Sequence, residues 1–254
     1  MPALAQSNGF GMSHSRSSIA TRPAGAGNGL AAFRDAYRAE IPDNYSARTH
    51  FALVVFVCLT VAGICLGIVD DLRPLELLAI PLTFIAANLV EYHAHRGPMH
   101  HPVRGLGLIY RRHVRQHHRF FRGTTIAIRD QEDMRVTLFP LIMLVFFFGL
   151  IALPIGIGVL MLTTPNTALL YVTTAVLYYL AYECVHLAVH LPEDHWARRI
   201  PGVEARMVYH RLHHDPRYMS QCNFNISFPL ADRLYGTARF PSSDPRTPPH
   251  SNHS

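Results

Sequence analysis

The 254-residue chain is 49% hydrophobic and only 16% charged, whereas a typical soluble domain has about 25% charged residues. All 23 basic side chains are arginine, and a further 17 residues are histidine. The lack of lysine excludes a Walker-type phosphate-binding loop, a kinase-type Lys–Glu pair and a Schiff-base enzyme. Although the net charge is +6, the low charge density argues against a nucleic-acid partner. The composition therefore indicates a membrane protein that is rich in metal ligands.

The N-terminal region is rich in small and polar residues. Glycine, serine, alanine and asparagine dominate before Leu30, which predicts a flexible tail. From Leu30 to Glu40, the apolar residues Leu30, Phe33 and Tyr37 recur at helical spacing. This pattern predicts a short amphipathic helix, which lies either on the membrane or on the protein surface.

Apolar runs predict four membrane-spanning helices. The run Phe51–Val69 carries no charge and matches the roughly 20 residues that a spanning helix needs. A second run, Leu77–Val90, ends at Glu91, and its helix is expected to continue beyond the membrane to the histidines that follow. The uncharged stretch Val136–Tyr182 would reach about 70 Å as one helix, so it is expected to turn back near Thr163–Thr167.

These runs predict an all-α integral membrane protein with four transmembrane helices in two hairpins. Pro154 is expected to kink the third helix, because membrane helices tolerate proline. The predicted regions are residues 1–48 as a flexible tail with the amphipathic helix, 49–240 as the membrane-embedded domain and 241–254 as a disordered tail.

The arginines predict the orientation in the membrane. Nine lie between Arg96 and Arg135, eight lie from Arg198 onward, and the two hairpin turns contain only Arg73. Loops rich in Lys and Arg stay in the cytoplasm. We therefore expect both termini and the long connector on the cytoplasmic side, where they form a helical cap.

Ten histidines form four clusters at the predicted cytoplasmic ends of the helices, with the spacings H-x4-H, H-x3-H-H, H-x3-H and H-x2-H-H. Residues three or four apart share a helix face, so their imidazoles can converge. Two metal ions with about five nitrogens each would use all ten side chains. Because imidazole suits Fe, Cu, Zn and Ni, ligand type alone does not identify the metal. The predicted ligands are His95, His100, His113, His117, His118, His186, His190, His210, His213 and His214.

The other seven histidines are expected to have no role in metal binding. They flank the helices or lie in the tails, and they are His14, His50, His93, His101, His195, His250 and His253. By contrast, Glu183 precedes His186 by one helical turn on the same face. It is a candidate ligand, or an acceptor for an imidazole N–H. Asn88, Glu91 and His95 repeat this spacing in the second helix.

The order of the four clusters resembles that of the membrane-bound di-iron oxygenases in the fatty acid hydroxylase and sterol desaturase superfamily. The similarity covers about residues 88 to 237 and extends beyond the histidines. It includes Glu91-Tyr92 before His95-Arg96, Tyr110-Arg111 before the second cluster, Asn223-Phe224-Asn225 after the last, and Pro229-Leu230, Asp232, Leu234 and Gly236-Thr237 in a closing segment. The third cluster and the closing segment resemble the hydroxylase branch more than plain acyl-CoA desaturases.

The resemblance implies two iron ions, with zinc possible in a purified form, held by the ten clustered histidines. It implies O2-dependent hydroxylation of an unactivated C–H in a fatty acyl or related lipid drawn from the bilayer. Electrons are expected from a separate cytochrome, or a ferredoxin with its reductase, because nothing here resembles the haem-binding domain of some relatives. Asn225 and Asp232 join Glu183 as candidate catalytic residues.

Three alternatives remain open. Within the superfamily, the chain is alternatively a sterol or carotenoid oxygenase, or a desaturase. From another class, a histidine-rich metal transporter would place its ligands near the bilayer midplane between broken helices, whereas these clusters follow the apolar runs. A membrane cytochrome would need paired histidines inside the spans, and the spans lack them.

Overall fold

The computed structural model describes residues 25–122 and 126–240, and in this part of the chain the regular structure is helical. The predicted tails therefore fall largely outside the described residues, and the domain boundaries at residues 48 and 240 stay predictions. The α-helices are α1 (Gly25–Ala39), α2 (Ala47–Ile68), α3 (Ala79–Ala94), α4 (Gly107–Tyr110), α5 (Met134–Thr137), α6 (Leu141–Phe146), α7 (Leu153–Leu162), α8 (Pro165–Val189), α9 (Val203–His213) and α10 (Leu230–Leu234).

Short 3₁₀ and π-helical turns extend several of these helices. The 3₁₀ turns are Pro74–Leu78, Gln131–Asp133 and Trp196–Arg199, and the π-helical turns are His95–Met99, Arg111–His118 and Phe147–Ala152. Joined to their neighbours, they form four continuous helices that are long and apolar enough to cross a membrane: Ala47–Ile68, Pro74–Met99, Gln131–Leu162 and Pro165–Val189. The prediction of an all-α protein with four spans in two hairpins is confirmed.

The break in the long apolar stretch lies where the sequence predicts it. α7 ends at Leu162, and Thr164 begins α8 by accepting a hydrogen bond from the backbone N–H of Thr167 through its side chain. Pro154 lies in the first turn of α7, directly after a π-helical turn. Proline cannot donate the backbone hydrogen bond of a regular helix, so the third span is irregular at this point.

α8 is the centre of the bundle, and α2, α3 and α7 all pack against it. Val54 and Cys58 of α2 are buried beside Tyr179 of α8 and Leu144 of α6. The opposite face of α2 is apolar and exposed, as at Phe56. A helix that is apolar on all sides is expected in a membrane, where lipid covers its outer face.

A polar contact joins the two hairpin turns at the end of the bundle that is remote from the clustered histidines. Glu76 accepts hydrogen bonds from Thr164 Oγ1 at 2.5 Å and from Asn166 Nδ2 at 3.1 Å. Asn166 Nδ2 also donates to the backbone carbonyl of Asp70 at 2.7 Å. These bonds hold the first hairpin in place against the second.

The predicted amphipathic helix is present and packs on the connector between the second and third spans. Tyr37 of α1 is buried with its ring 5.5 Å from that of Phe120. Arg34 Nε donates to the Phe120 carbonyl at 2.9 Å, and the guanidinium of Arg119 lies 4.1 Å from the ring centre of Phe33. The apolar face of α1 therefore covers protein, beside the segment that carries the second histidine cluster.

Candidate metal centre

The ten clustered histidines converge on two adjacent points. Five of them have ring nitrogens within 4.8 Å of one another, and we call them the first group: His95, His100, His113, His118 and His213. The second group combines His117, His190, His210 and His214, which meet the same criterion, with His186, whose Nε2 lies 3.2 Å from His117 Nε2. The rings of His118 and His214 are 4.4 Å apart, so the groups adjoin.

The π-helical turns account for the first group. His95 and His100 are five residues apart, as are His113 and His118, and in a regular α-helix such residues point in different directions. A π-helical turn closes i to i+5 hydrogen bonds and so brings these positions onto one face. One such turn begins at His95 and another ends at His118.

The second group depends on ordinary α-helical spacing. His186 and His190 are four apart at the end of α8, and His210 and His214 are four apart at the end of α9. His117 completes the group from the connector. Each half of the chain thus contributes four ligands to one group and a single ligand to the other, His117 and His213 being the ones exchanged.

The spacing of the Nε2 atoms is that of ligands around one ion. In the first group, His113 Nε2 lies 2.8 Å from His95 Nε2 and 3.0 Å from His118 Nε2. In the second, His214 Nε2 lies 3.0 Å from His117 Nε2 and 2.9 Å from His210 Nε2. Metal–nitrogen bonds of about 2.1 Å at right angles place neighbouring ligand atoms about 3.0 Å apart.

Backbone carbonyls orient five of the ten rings. His117 Nδ1 binds the Val136 carbonyl and His214 Nδ1 the Phe121 carbonyl, each at 3.1 Å. The other three pairs are His95 with Phe224, His190 with Ile126 and His213 with Cys222. A carbonyl can only accept, so Nδ1 carries the proton and Nε2 presents a lone pair. Two such lone pairs 3.0 Å apart, at His117 and His214, repel unless a cation lies between them, so these residues fit a metal ion.

Burial keeps these imidazoles neutral, which is the form that binds metal. Desolvation lowers the pKa of His100 to about 2, that of His190 to about 3 and that of His213 to about 4. For His113 and His118, burial and the neighbouring imidazoles hold the pKa well below its ordinary value. All five are uncharged at neutral pH.

The remaining described histidines lie outside both groups. His50 is paired with the hydroxyl of Tyr45 at 2.7 Å, and His93 lies 3.3 Å from the hydroxyl of Tyr235. His195 accepts from a backbone N–H, and His101 is exposed. The other three fall outside the described residues: His14, His250 and His253.

Glu183 contacts the start of the third span. Its Oε1 accepts from the hydroxyl of Tyr179 at 3.2 Å and from the backbone N–H of Phe139 at 3.3 Å. It is not a member of either histidine group. Its contacts place the Glu183 carboxylate next to the backbone of Phe139. Its predicted catalytic role stays a prediction.

Asp232 and Asn225 hold the closing segment in shape. Asp232 accepts from the backbone N–H groups of Phe224 and Asn225 at 3.0 and 2.7 Å and from the hydroxyl of Tyr209 at 2.9 Å. Asn225 donates to the Asn88 carbonyl at 3.0 Å. These bonds position a segment whose Phe224 and Cys222 carbonyls orient the rings of His95 and His213, while the predicted catalytic roles stay predictions.

Glu91 belongs to a buried hydrogen-bond network that its spacing from Asn88 and His95 does not predict. Its carboxylate accepts from the hydroxyl of Tyr178 at 2.5 Å, from the hydroxyl of Ser227, and from the backbone N–H of Ile226 at 2.6 Å. The network joins α3, α8 and the closing segment. Two features of the sequence are consistent with this network: a carboxylate ends one apolar run, and tyrosines occur in another.

An apolar cavity of about 380 Å³ lies between α3, the third span and α8. Its wall includes Val90, Met143, Ile155 and Ala175, with few polar atoms. Phe139 also lines a small pocket beside His113, His117 and His186, and its ring stacks on that of Tyr182 with centres 5.2 Å apart. The stacked rings of Phe139 and Tyr182 thus separate the cavity from the histidines.

Comparison with known protein families agrees with this geometry. The sequence model of the fatty acid hydroxylase family matches residues 80–237, which include all ten clustered histidines and the closing segment. Comparisons with curated proteins and with solved structures give no match. Four membrane-spanning helices, two histidine groups that fit a di-iron site and this family match agree with one another, and the chain belongs to the fatty acid hydroxylase family of membrane oxidoreductases.

Proposed function

We propose that this protein is a di-iron oxygenase that uses O2 and external electrons to hydroxylate an unactivated C–H of a lipid, a fatty acyl chain or a related substrate. The observation that carries the proposal is the apolar cavity that adjoins the two histidine groups across Phe139 and Tyr182. An alkyl chain in this cavity would point one of its carbons toward the groups.

The substrate reaches the cavity from the bilayer. Val90 of α3 and Ile155 of α7 line the cavity and are each about half exposed, which supports an opening toward lipid between these helices. A lipid tail is as apolar as the cavity, and transfer from the bilayer therefore gains little hydrophobic free energy. Selection depends on shape and van der Waals contact with residues such as Met143 and Ala175.

The ten histidines would hold the two iron ions, which supply O2 activation and the oxidising power for C–H hydroxylation. The protein contributes orientation and exclusion of water. The carbonyls of Val136 and Phe121 keep the Nε2 atoms of His117 and His214 directed at the second group. The stacked rings of Phe139 and Tyr182 keep solvent out of the path between substrate and metal.

Electrons come from a separate donor, a cytochrome or a ferredoxin with its reductase, on the side of the membrane where the histidines lie. The concentration of arginines on the connector and the C-terminal segment supports the cytoplasm as that side. Arg111, Arg115 and Arg211 are among the charges that this surface presents to water.

Lipid mass spectrometry of cells with and without the gene tests the proposal. The expected product is a lipid heavier by one oxygen atom that disappears with His213→Ala and persists with His101→Ala, whose imidazole is exposed outside both groups. A lipid lighter by two hydrogens would instead assign desaturation within the same superfamily.

Metal analysis of the purified protein distinguishes the remaining alternative. Two irons per folded chain are expected, and fewer in His213→Ala than in His101→Ala. Gene-dependent accumulation of metal in cells without any change in their lipids would favour a transporter and contradict the oxygenase proposal.

A further inference from the structure

The closing segment exposes apolar side chains outside the four spanning helices. Leu234 is 70% exposed, and Phe228, Leu230 and Tyr235 are more than 40% exposed. α10 is otherwise anchored by buried Ala231 and Asp232. The hydropathy of the sequence does not predict a membrane contact here, because the stretch is far shorter than a spanning helix.

Phe228 lies at the depth of the membrane core. Its ring centre is 5.1 Å from that of Phe84 in α3, and Phe84 in turn is 5.4 Å from Tyr178 in α8. The next residue of α8, Tyr179, packs against Val54 and Cys58 of α2.

The positions of Val54 and Cys58 along α2 give the approximate depth of this contact in the membrane. Val54 and Cys58 follow Arg48, the last charged residue before the span, by six and ten residues. At about 1.5 Å per residue this is about 9 to 15 Å, and half of the hydrocarbon core is about 15 Å. Phe228 therefore lies well inside the half of the bilayer nearer the histidines.

The other end of the segment lies near the membrane surface. The ring of Tyr235 stacks on Tyr92 with centres 4.8 Å apart, and its hydroxyl lies 3.3 Å from His93 Nε2. Tyrosine is enriched at the boundary between lipid and water. The segment thus rises along the outside of α3 from the level of Phe84 to that of Tyr92.

The backbone of this segment is satisfied as lipid requires. Non-helical backbone at membrane depth is tolerated only when protein groups satisfy it. Glu91 Oε1 accepts from the N–H groups of Ile226 and Ser227 at 2.6 and 3.0 Å. Asn88 accepts from the N–H of Ala231 at 2.9 Å and donates to the carbonyl of Phe228 at 2.8 Å. The buried side chains of Glu91 and Asn88 therefore bind backbone N–H and C=O groups of the segment that would bind water in an aqueous loop.

The exposed arginine of α10 is compatible with this depth. Burial, with the nearby charge of Arg233 as a smaller cause, lowers the pKa of Arg206 in α9, so Arg233 lies within electrostatic reach of that helix of the cap. Arginine commonly extends its charged end to the headgroups while its stem lies in lipid.

We propose that residues 227–235 form a re-entrant element whose exposed face, built from Phe228, Leu230, Leu234 and Tyr235, is immersed in lipid of the leaflet nearer the histidines. The face continues the lipid-facing surface of α3. Because the residues directly before this element supply the Phe224 and Cys222 carbonyls that orient His95 and His213, its contact with the membrane also supports the first group.

Fluorescence quenching by brominated lipids tests the proposal, because Trp196 is the only tryptophan. In a Trp196→Phe background of the full chain, reconstituted in phosphatidylcholine vesicles, single tryptophans replace Phe228, Leu230, Leu234 or Tyr235. Phe56→Trp on α2 is the lipid-facing control, and Gln221→Trp, exposed in the turn after α9, is the aqueous control.

Phe228→Trp and Leu234→Trp are expected to lose emission in brominated vesicles to an extent close to Phe56→Trp. Bromine near the chain ends should quench position 228 more than 235, and bromine near the headgroups the reverse. Leu230→Trp and Leu234→Trp replace exposed side chains, so they report even if the Phe228 variant does not fold. Emission at positions 230 and 234 that matches Gln221→Trp and is insensitive to bromine would overturn the proposal.

Discussion

Asp232 illustrates how a single carboxylate can act on a metal site that it does not touch. It is fully buried and accepts from two backbone N–H groups and from the hydroxyls of Tyr209 and Thr237. A buried donor left without its acceptor costs about 1–3 kcal/mol. The loop that Asp232 shapes carries the acceptors for two ligand histidines, so we assign it a positioning role.

Asp232→Asn is expected to weaken metal binding by the first group. An amide nitrogen would face one of the donors that the carboxylate now accepts. Loss of such supporting contacts typically lowers metal affinity about 10- to 100-fold. Metal content and melting temperature measure the effect, with Asp215→Asn, whose carboxylate pairs with exposed Arg217, as the control. Equal metal retention in both variants would contradict the positioning role.

Phe139→Ala is expected to open the cavity to the histidine groups. Truncation of this partly buried ring should cost about 3 kcal/mol of stability at most. If the proposed function holds, less hydroxylated lipid should form per O2 consumed, because the alkyl chain is no longer held at one position. Oxygen uptake and product analysis test this, with lipid-facing Phe56→Ala as control. Unchanged coupling in Phe139→Ala would argue against a separating role.

At the scale of elements, the π-helical turns decide which histidines meet. His117 and His118 are adjacent in the chain but belong to different groups, because the turn Arg111–His118 directs His118 toward His113. The turn His95–Met99 does the same for His95 and His100. A π-helical turn contains about one residue more than an α-helical turn, and this extra residue brings histidines that are five apart onto one face.

Insertion of one alanine after Gly97 should misalign the π-helical turn after α3, because His95 and His100 would then be six residues apart and the added residue turns His100 by about 100° relative to His95. The first group would lose a ligand while the second stays intact. We expect about half of the wild-type metal content with the fold retained. Insertion of one alanine after Val103, exposed in the loop that follows, is the matched control. Full metal content after the insertion at Gly97 would show that the spacing set by the π-helical turn is dispensable.

At the scale of the whole molecule, the buried neutral imidazoles link stability to pH. The folded pKa values of His190 and His213 are lowered to about 3 and about 4, whereas an unfolded histidine has a pKa near 6.5. Below about pH 6.5 the unfolded chain binds more protons than the folded one. The free energy of unfolding therefore decreases as the pH is lowered through this range.

Metal-free protein is therefore expected to melt at progressively lower temperature as the pH falls from about 6.5 toward 4. Between about pH 7 and pH 8 its melting temperature should be nearly constant with respect to these groups. The metal-loaded protein should resist mild acid better, because the ions compete with protons for Nε2. A metal-free melting temperature that does not change below pH 6.5 would contradict this account.

The sequence by itself determined the four spans, the hairpin turn near Thr164 and the ten candidate ligands. These features are local: a charge-free run predicts a membrane helix whatever packs against it, and imidazole is a metal ligand by its own chemistry. The approximate level of the histidines, at the ends of the apolar runs, followed from the same local patterns.

Only the tertiary structure decided how the ten ligands divide, what separates them from the cavity, and where the closing segment packs. His213 joins ligands from the first half of the chain, Phe139 meets Tyr182 across two helices, and Phe228 reaches Phe84. Each depends on contacts between residues distant in sequence and on π-helical turns that α-helical spacing does not predict. Local patterns name the groups that can act, and packing between helices decides which of them meet.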